Sequence, residues 1–117
     1  MNTKLKVWEL SHQLTLDIYK LTEQFPPHEL YGIISQMRRA AYSVPSNITE
    51  GKSRDSDKEF RRFLVMARAS VDELSYFLLL SKDLGYYSSD EYKIVSDKAK
   101  HVGAMLNKLI TKINKDL

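Results

Sequence analysis

All six arginines of this 117-residue chain lie between Arg38 and Arg68. Within that window Arg38, Arg39, Lys52, Arg54, Lys58, Arg61, Arg62 and Arg68 stand against Glu50, Asp55, Asp57 and Glu59, eight cations to four carboxylates. The remainder holds ten lysines and eleven acids, so the net charge of +3 arises in the window. A guanidinium presents a planar fork of donors that fits phosphate or carboxylate oxygens in pairs, which an ammonium does not. The chemistry on offer is therefore recognition of a phosphate-bearing partner, driven by counterion release and largely indifferent to sequence. Arg61 and Arg68 are seven apart and share a helix face, with Lys58 and Arg62 beside them. The same residues have a competing internal use. Arg62 can pair with Glu59, Asp55 and Asp57 can neutralise the loop, and Arg38 or Arg39 can bridge to Glu73 within or between subunits. Asn47 and Glu50 are suited to capping backbone groups nearby.

Other chemistries find less support. Glu9-Leu10-Ser11-His12 has the Glu-x-x-His spacing of di-metal bundles, but such a site needs a second motif, and His101 is preceded by Lys98 at the required position. No serine sits in Gly-x-Ser-x-Gly, and no glycine-rich phosphate loop occurs. Cysteine is absent, which removes disulfides, thiolate ligands and a thiol nucleophile. The expectation is a non-enzymatic protein with no cofactor and no metal. The longest apolar run, Tyr76 to Leu80, is far shorter than the ~20 residues of a membrane span. No basic stretch followed by an apolar one opens the chain, so no signal peptide is expected and a cytoplasmic location is.

The elements that must position the arginines are helical throughout. Val7, Leu10, Leu14, Ile18, Leu21 and Phe25 recur at three- and four-residue steps, as do Leu30, Ile34, Met37, Ala41, Val44 and Ile48. Phe60 to Leu78 and Tyr92 to Ile113 carry two further stripes of this kind. Phe25-Pro26-Pro27 ends the first helix, and Ser56/Glu59 and Ser88/Glu91 read as capping boxes for the third and fourth. Gly85 suits a left-handed helix terminus. Short loops imply an antiparallel up-down-up-down four-helix bundle, all-α, in one domain spanning residues 1–117. Pro45 lies inside the second stripe, and continuity of Val44 with Ile48 predicts a helix kinked there rather than ended. Phe63, Val65, Met66, Tyr76, Phe77, Leu79 and Leu80 fall outside the third stripe, and an apolar surplus of this size predicts self-association.

The stretch from Tyr31 to Gly51, reading YGIISQMRRAAYSVPSNITEG, resembles the signature of the four-helix-bundle proteins encoded in intervening sequences of bacterial large-subunit ribosomal RNA genes. Glu59 to Leu64, Asp83 to Tyr86, Val7-Trp8, and Ile18-Tyr19 to Phe25-Pro26 fit it too, so the likeness spans essentially the whole chain. Thr49 and Ser53 depart from it, standing where the family pattern more often has alanine and glycine. The resemblance implies a ring-forming bundle, with a homopentamer the best-known arrangement. It extends to the accessory variability protein of diversity-generating retroelements, a basic pentamer that binds nucleic acid and partners a reverse transcriptase. By this likeness Arg38, Arg39, Arg61 and Arg62 are the candidates for a surface facing RNA or DNA.

Together these readings predict an oligomeric helical bundle that binds structured nucleic acid, RNA foremost, through Arg38, Arg39, Lys52, Arg54, Lys58, Arg61, Arg62 and Arg68. The rival reading is a protein-interaction scaffold or reverse-transcriptase accessory subunit whose basic charge plays no direct part.

Overall fold

The computed structural model describes the backbone of residues 3–117 and the side chains of residues 6–117. Four long helices run α1 (Thr3–Thr22), α2 (Ser35–Lys52), α3 (Asp57–Asp83) and α4 (Ser89–Asp116). Each packs on its sequence neighbour, and α4 closes onto α1, so the antiparallel bundle places every helix between two others. The apolar stripes account for the core. Val7, Ile18, Met37, Val44, Ile48, Leu64, Leu74, Leu78 and Leu106 are all buried, and burial on this scale dominates bundle stability.

The helix ends follow from local chemistry. The Ser56 hydroxyl accepts from the Glu59 amide at 3.1 Å, but the Glu59 carboxylate turns to Arg62 instead of completing the box. At α4 both halves of the capping box form, between Ser88 and Glu91. After α3, Gly85 takes φ +81°, and the amides of Gly85 and Tyr86 return to the Lys82 and Ser81 carbonyls. That paired return satisfies two of the carbonyls a helix end leaves open.

Between α1 and α2 the chain passes through a 3₁₀ turn (Pro27–Glu29) and one π-helical turn (Leu30–Ile34). The backbone leaves helical geometry at Gly32 (φ −109°, ψ −115°). A side chain there would meet the Glu29 carboxylate, whose other oxygen accepts a hydrogen bond from the Tyr86 hydroxyl at 2.7 Å.

α2 runs on through Pro45, keeping Val44 and Ile48 in one buried stripe. A proline has no N–H to give the carbonyl four residues back, here that of Ala41. The Thr15 hydroxyl of α1 lies 3.1 Å from the Ala41 carbonyl and 2.8 Å from the Ser11 carbonyl of its own helix, so one proton is shared between them. Thr15 is buried, so leaving that carbonyl unmet would cost free energy. Thr15→Val should therefore destabilise the fold by about 1–2 kcal/mol in urea unfolding. In a Pro45→Ala background, where the substituted residue regains an amide that can reach the carbonyl, the same change should cost measurably less. Equal costs in the two backgrounds would detach Thr15 from the proline.

Candidate nucleic-acid interface

The six arginines divide into four settings. Arg38 is half-buried at the α1–α2 contact: its Nε donates to the Thr22 hydroxyl at 2.9 Å, and its guanidinium lies 4.6 Å from the centre of the Tyr19 ring. It joins α2 to α1 and does not bridge to Glu73. Arg39 is exposed on α2, with no carboxylate within ion-pair distance among the described residues. It sits twelve residues before Gly51, roughly 18 Å of helix rise from the α2–α3 turn. The pair therefore stands apart from the cations at that turn.

Arg54 and Arg62 roof Phe63. Their guanidinium carbons lie 5.1 and 4.5 Å from the centre of its ring, contacts that a ring's negative face favours. Each is also paired, Arg54 with Glu50 at 2.8 Å and Arg62 with Glu59 at 3.1 Å. The Arg62 hydrogen bond holds the Glu59 carboxyl below its usual range. Phe63, one of the apolar residues left over from the α3 stripe, is thereby buried within the subunit. Gly51 makes this possible. A methyl there would stand 2.8 Å from Phe63 Cβ and 2.9 Å from Phe60 Cδ1, so α2 and α3 touch where only hydrogen fits. Ser53 keeps right-handed helical angles (φ −77°, ψ −10°), so its departure from glycine leaves the turn intact. Asn47 lies within α2 and donates its side-chain amide to the Ser43 carbonyl four residues back at 2.7 Å, not to the Ala41 carbonyl that Pro45 leaves open, while Glu50 pairs with Arg54.

Arg61 and Arg68 point to α4. Arg61 donates to the Asn114 side-chain carbonyl and Arg68 to that of Asn107 at 3.0 Å. Both anchors are neutral amides, so each guanidinium is oriented without losing its charge. Lys52 and Lys58 are exposed at the α2–α3 turn, with no carboxylate within ion-pair distance among the described residues. Lys52, Arg54, Lys58, Arg61 and Arg62 thus gather where α2 ends and α3 begins.

A protein-family description, "23S rRNA-intervening sequence protein", matches residues 3–108. The chain belongs to this family. Among solved structures, a protein of unknown function from the S23 ribosomal protein family of Bacteroides thetaiotaomicron superposes with a TM-score of 0.87. That alignment covers 94% of this chain and 99% of the other at 20% identity, and so speaks to the shared fold. A comparison with curated protein sequences finds no match.

In this intervening-sequence family member the basic window is only part of the positive surface. Residues 98–117 hold Lys98, Lys100, Lys108, Lys112 and Lys115 against Asp116 alone. Antiparallel packing lays the end of α4 beside the start of α3, next to Arg61 and Arg68. Counted over everything outside the arginine window, these lysines vanish into the acids of residues 69–97. A count by successive helices would have exposed them. His12, the histidine of the Glu-x-x-His motif, stacks on Trp8 with ring centres 5.2 Å apart. No helix among the described residues is long and apolar enough to cross a membrane.

Proposed function

We propose that this protein is a non-enzymatic, self-associating bundle that binds structured RNA through the cations gathered at the α2–α3 turn. The observation that carries the reading is the state of those charges. Among the described residues Lys52 and Lys58 lack carboxylate partners, and Arg61 is positioned by an amide, so the end of the hairpin keeps its positive field. Phosphates respond to such a field through counterion release. Membership in a family named for 23S rRNA intervening sequences makes RNA the first ligand to test. Self-association is supported by Met66, Tyr76 and Leu79, which remain 44%, 59% and 40% exposed on α3. Large apolar side chains gathered on one helix favour burial against another surface. A homopentamer is the arrangement that the sequence resemblance favours.

A second reading has its own observation. Beside Arg61 and Arg62 lies a groove of about 620 Å³ whose lining includes Val65, Met66 and Leu117. Such a groove suits a protein segment, a reverse transcriptase's among them, and in that case the RNA would be dispensable. Fluorescence anisotropy with a labelled 23S rRNA hairpin between 50 and 200 mM KCl separates the two. RNA binding predicts that log K falls linearly with log salt, with a slope of about −3.6 to −4.5 for four to five phosphate contacts. A flat dependence, or no binding at either salt, would remove the RNA reading.

A further inference from the structure

The cations on α4 form a second arm of the positive surface. Lys108, Lys112 and Lys115 follow four- and three-residue steps, so they line one face over about 10 Å of helix. All three are exposed, and among the described residues none has a carboxylate within ion-pair distance. Like charges at these spacings repel and cost helix stability. The helix dipole compensates only in the last turn, which reaches Lys115 but not Lys108. Across the helix contact α3 carries two further cations, Arg61 and Arg68.

Those two arginines tie the arms together. Arg61 meets Asn114 and Arg68 meets Asn107, so the rungs are seven residues apart on both helices and run in opposite directions. An aspartate at either rung would bind the arginine at least as well and cancel its charge. Asparagine holds the guanidinium in place and leaves the charge for a partner. The two rungs run along the seam where α3 and α4 meet, and Lys108, Lys112 and Lys115 stand on the adjoining outward face of α4, roughly a third of a turn round the helix from the two asparagines.

The seam also lacks what a single strand requires. Binding unpaired bases relies on exposed aromatic rings as stacking platforms. Residues 98–117 contain no Phe, Tyr or Trp, and Phe60 and Phe63 at the start of α3 are buried. We infer that the α3–α4 seam is a track for the phosphate backbone of base-paired RNA, with Lys108, Lys112 and Lys115 contacting phosphates alongside Arg61 and Arg68. This rests on the RNA-binding reading above and extends it to a helix outside the arginine window. Lys112 and Lys115 lie beyond the residues matched to the family, so this part of the track is read from this chain alone.

The test compares full-length wild type with a K108Q/K112Q/K115Q variant, on a 20-base-pair RNA duplex and on one of its strands. Wild type should bind the duplex more tightly than the strand. The variant should keep its circular dichroism and solution mass, lose on the order of a hundredfold or more in duplex affinity at 100 mM KCl, and show a salt slope shallower by about two to three. The charge-keeping K108R/K112R/K115R variant should restore that slope. If the glutamine variant keeps the wild-type slope while charge reversal of Arg61 and Arg62 abolishes binding, the track is wrong and the RNA reading stands. If the strand binds as tightly as the duplex, the assignment to base-paired RNA fails. If wild type binds neither, both fall.

Discussion

Gly51→Val is expected to destabilise the protein by about 3 kcal/mol, the upper part of the range for forcing atoms into a packed core. For a chain of this size that lowers the melting temperature by on the order of 10 °C. Two effects oppose each other. Glycine within a helix costs about 1 kcal/mol relative to alanine, so replacing it gains a fraction of that. Against the gain, a Cβ at position 51 would stand 2.8 Å from Phe63 Cβ and 2.9 Å from the Phe60 ring. Phe63 Cβ is fixed by the α3 backbone, so relief requires the helices to part. Parting them would lift Phe63 from beneath Arg54 and Arg62, so the damage should reach the basic surface. Thermal unfolding followed by circular dichroism checks the first effect. An unchanged melting temperature would mean that α2 and α3 separate at no cost and that the contact does not hold the hairpin.

Gly51 also marks where sequence reading stops. Its position near the end of a helical stripe suggests a terminus, and nothing local says that another helix presses on it. The core was legible because burial repeats with the helix: Val44 and Ile48 stay in register across Pro45, and the helix does too. The means by which the proline is accommodated was not legible, since Thr15 lies 26 residues from Ala41. Only the packing of α1 on α2 brings the hydroxyl to the carbonyl. Phe63 shows the same limit from the other side. It falls outside the apolar stripe, and the close α2–α3 contact and two guanidinium groups bury it nonetheless.

Charge was legible only as composition. The arginine window is visible in the sequence, but its members do not act together. Arg38 serves the α1–α2 contact, Arg39 stands apart, Arg54 and Arg62 cover a phenylalanine, and Arg61 and Arg68 reach α4. The lysines of α4 are separated from Arg61 by some fifty residues of chain and join it through antiparallel packing. Sequence proximity thus overstated the unity of one cluster and concealed another.

R61E/R62E is expected to cost on the order of 60-fold or more in RNA affinity at 100 mM KCl. Each phosphate contact contributes a slope near 0.9, about eightfold per decade of salt, and the double change removes two such contacts. The introduced carboxylates then repel the phosphates, which takes the loss beyond that figure. Stability should fall by about 1–2 kcal/mol, because the exposed Arg62–Glu59 pair is worth about 0–1 kcal/mol and the Arg62 contact over Phe63 about 0.5–1 kcal/mol, while a glutamate at position 62 would repel Glu59. Arg38→Ala supplies the contrast. It removes a hydrogen bond to Thr22 and the stacking on Tyr19, so unfolding should shift while the salt slope of RNA binding stays as in wild type. Solution mass measured on both variants decides what the arginines are for. An intact oligomer with weakened, less salt-sensitive RNA binding identifies Arg61 and Arg62 as phosphate ligands. Dissociation into single subunits with the slope unchanged would make them contacts between copies of the chain, and the basic surface would have to be sought elsewhere.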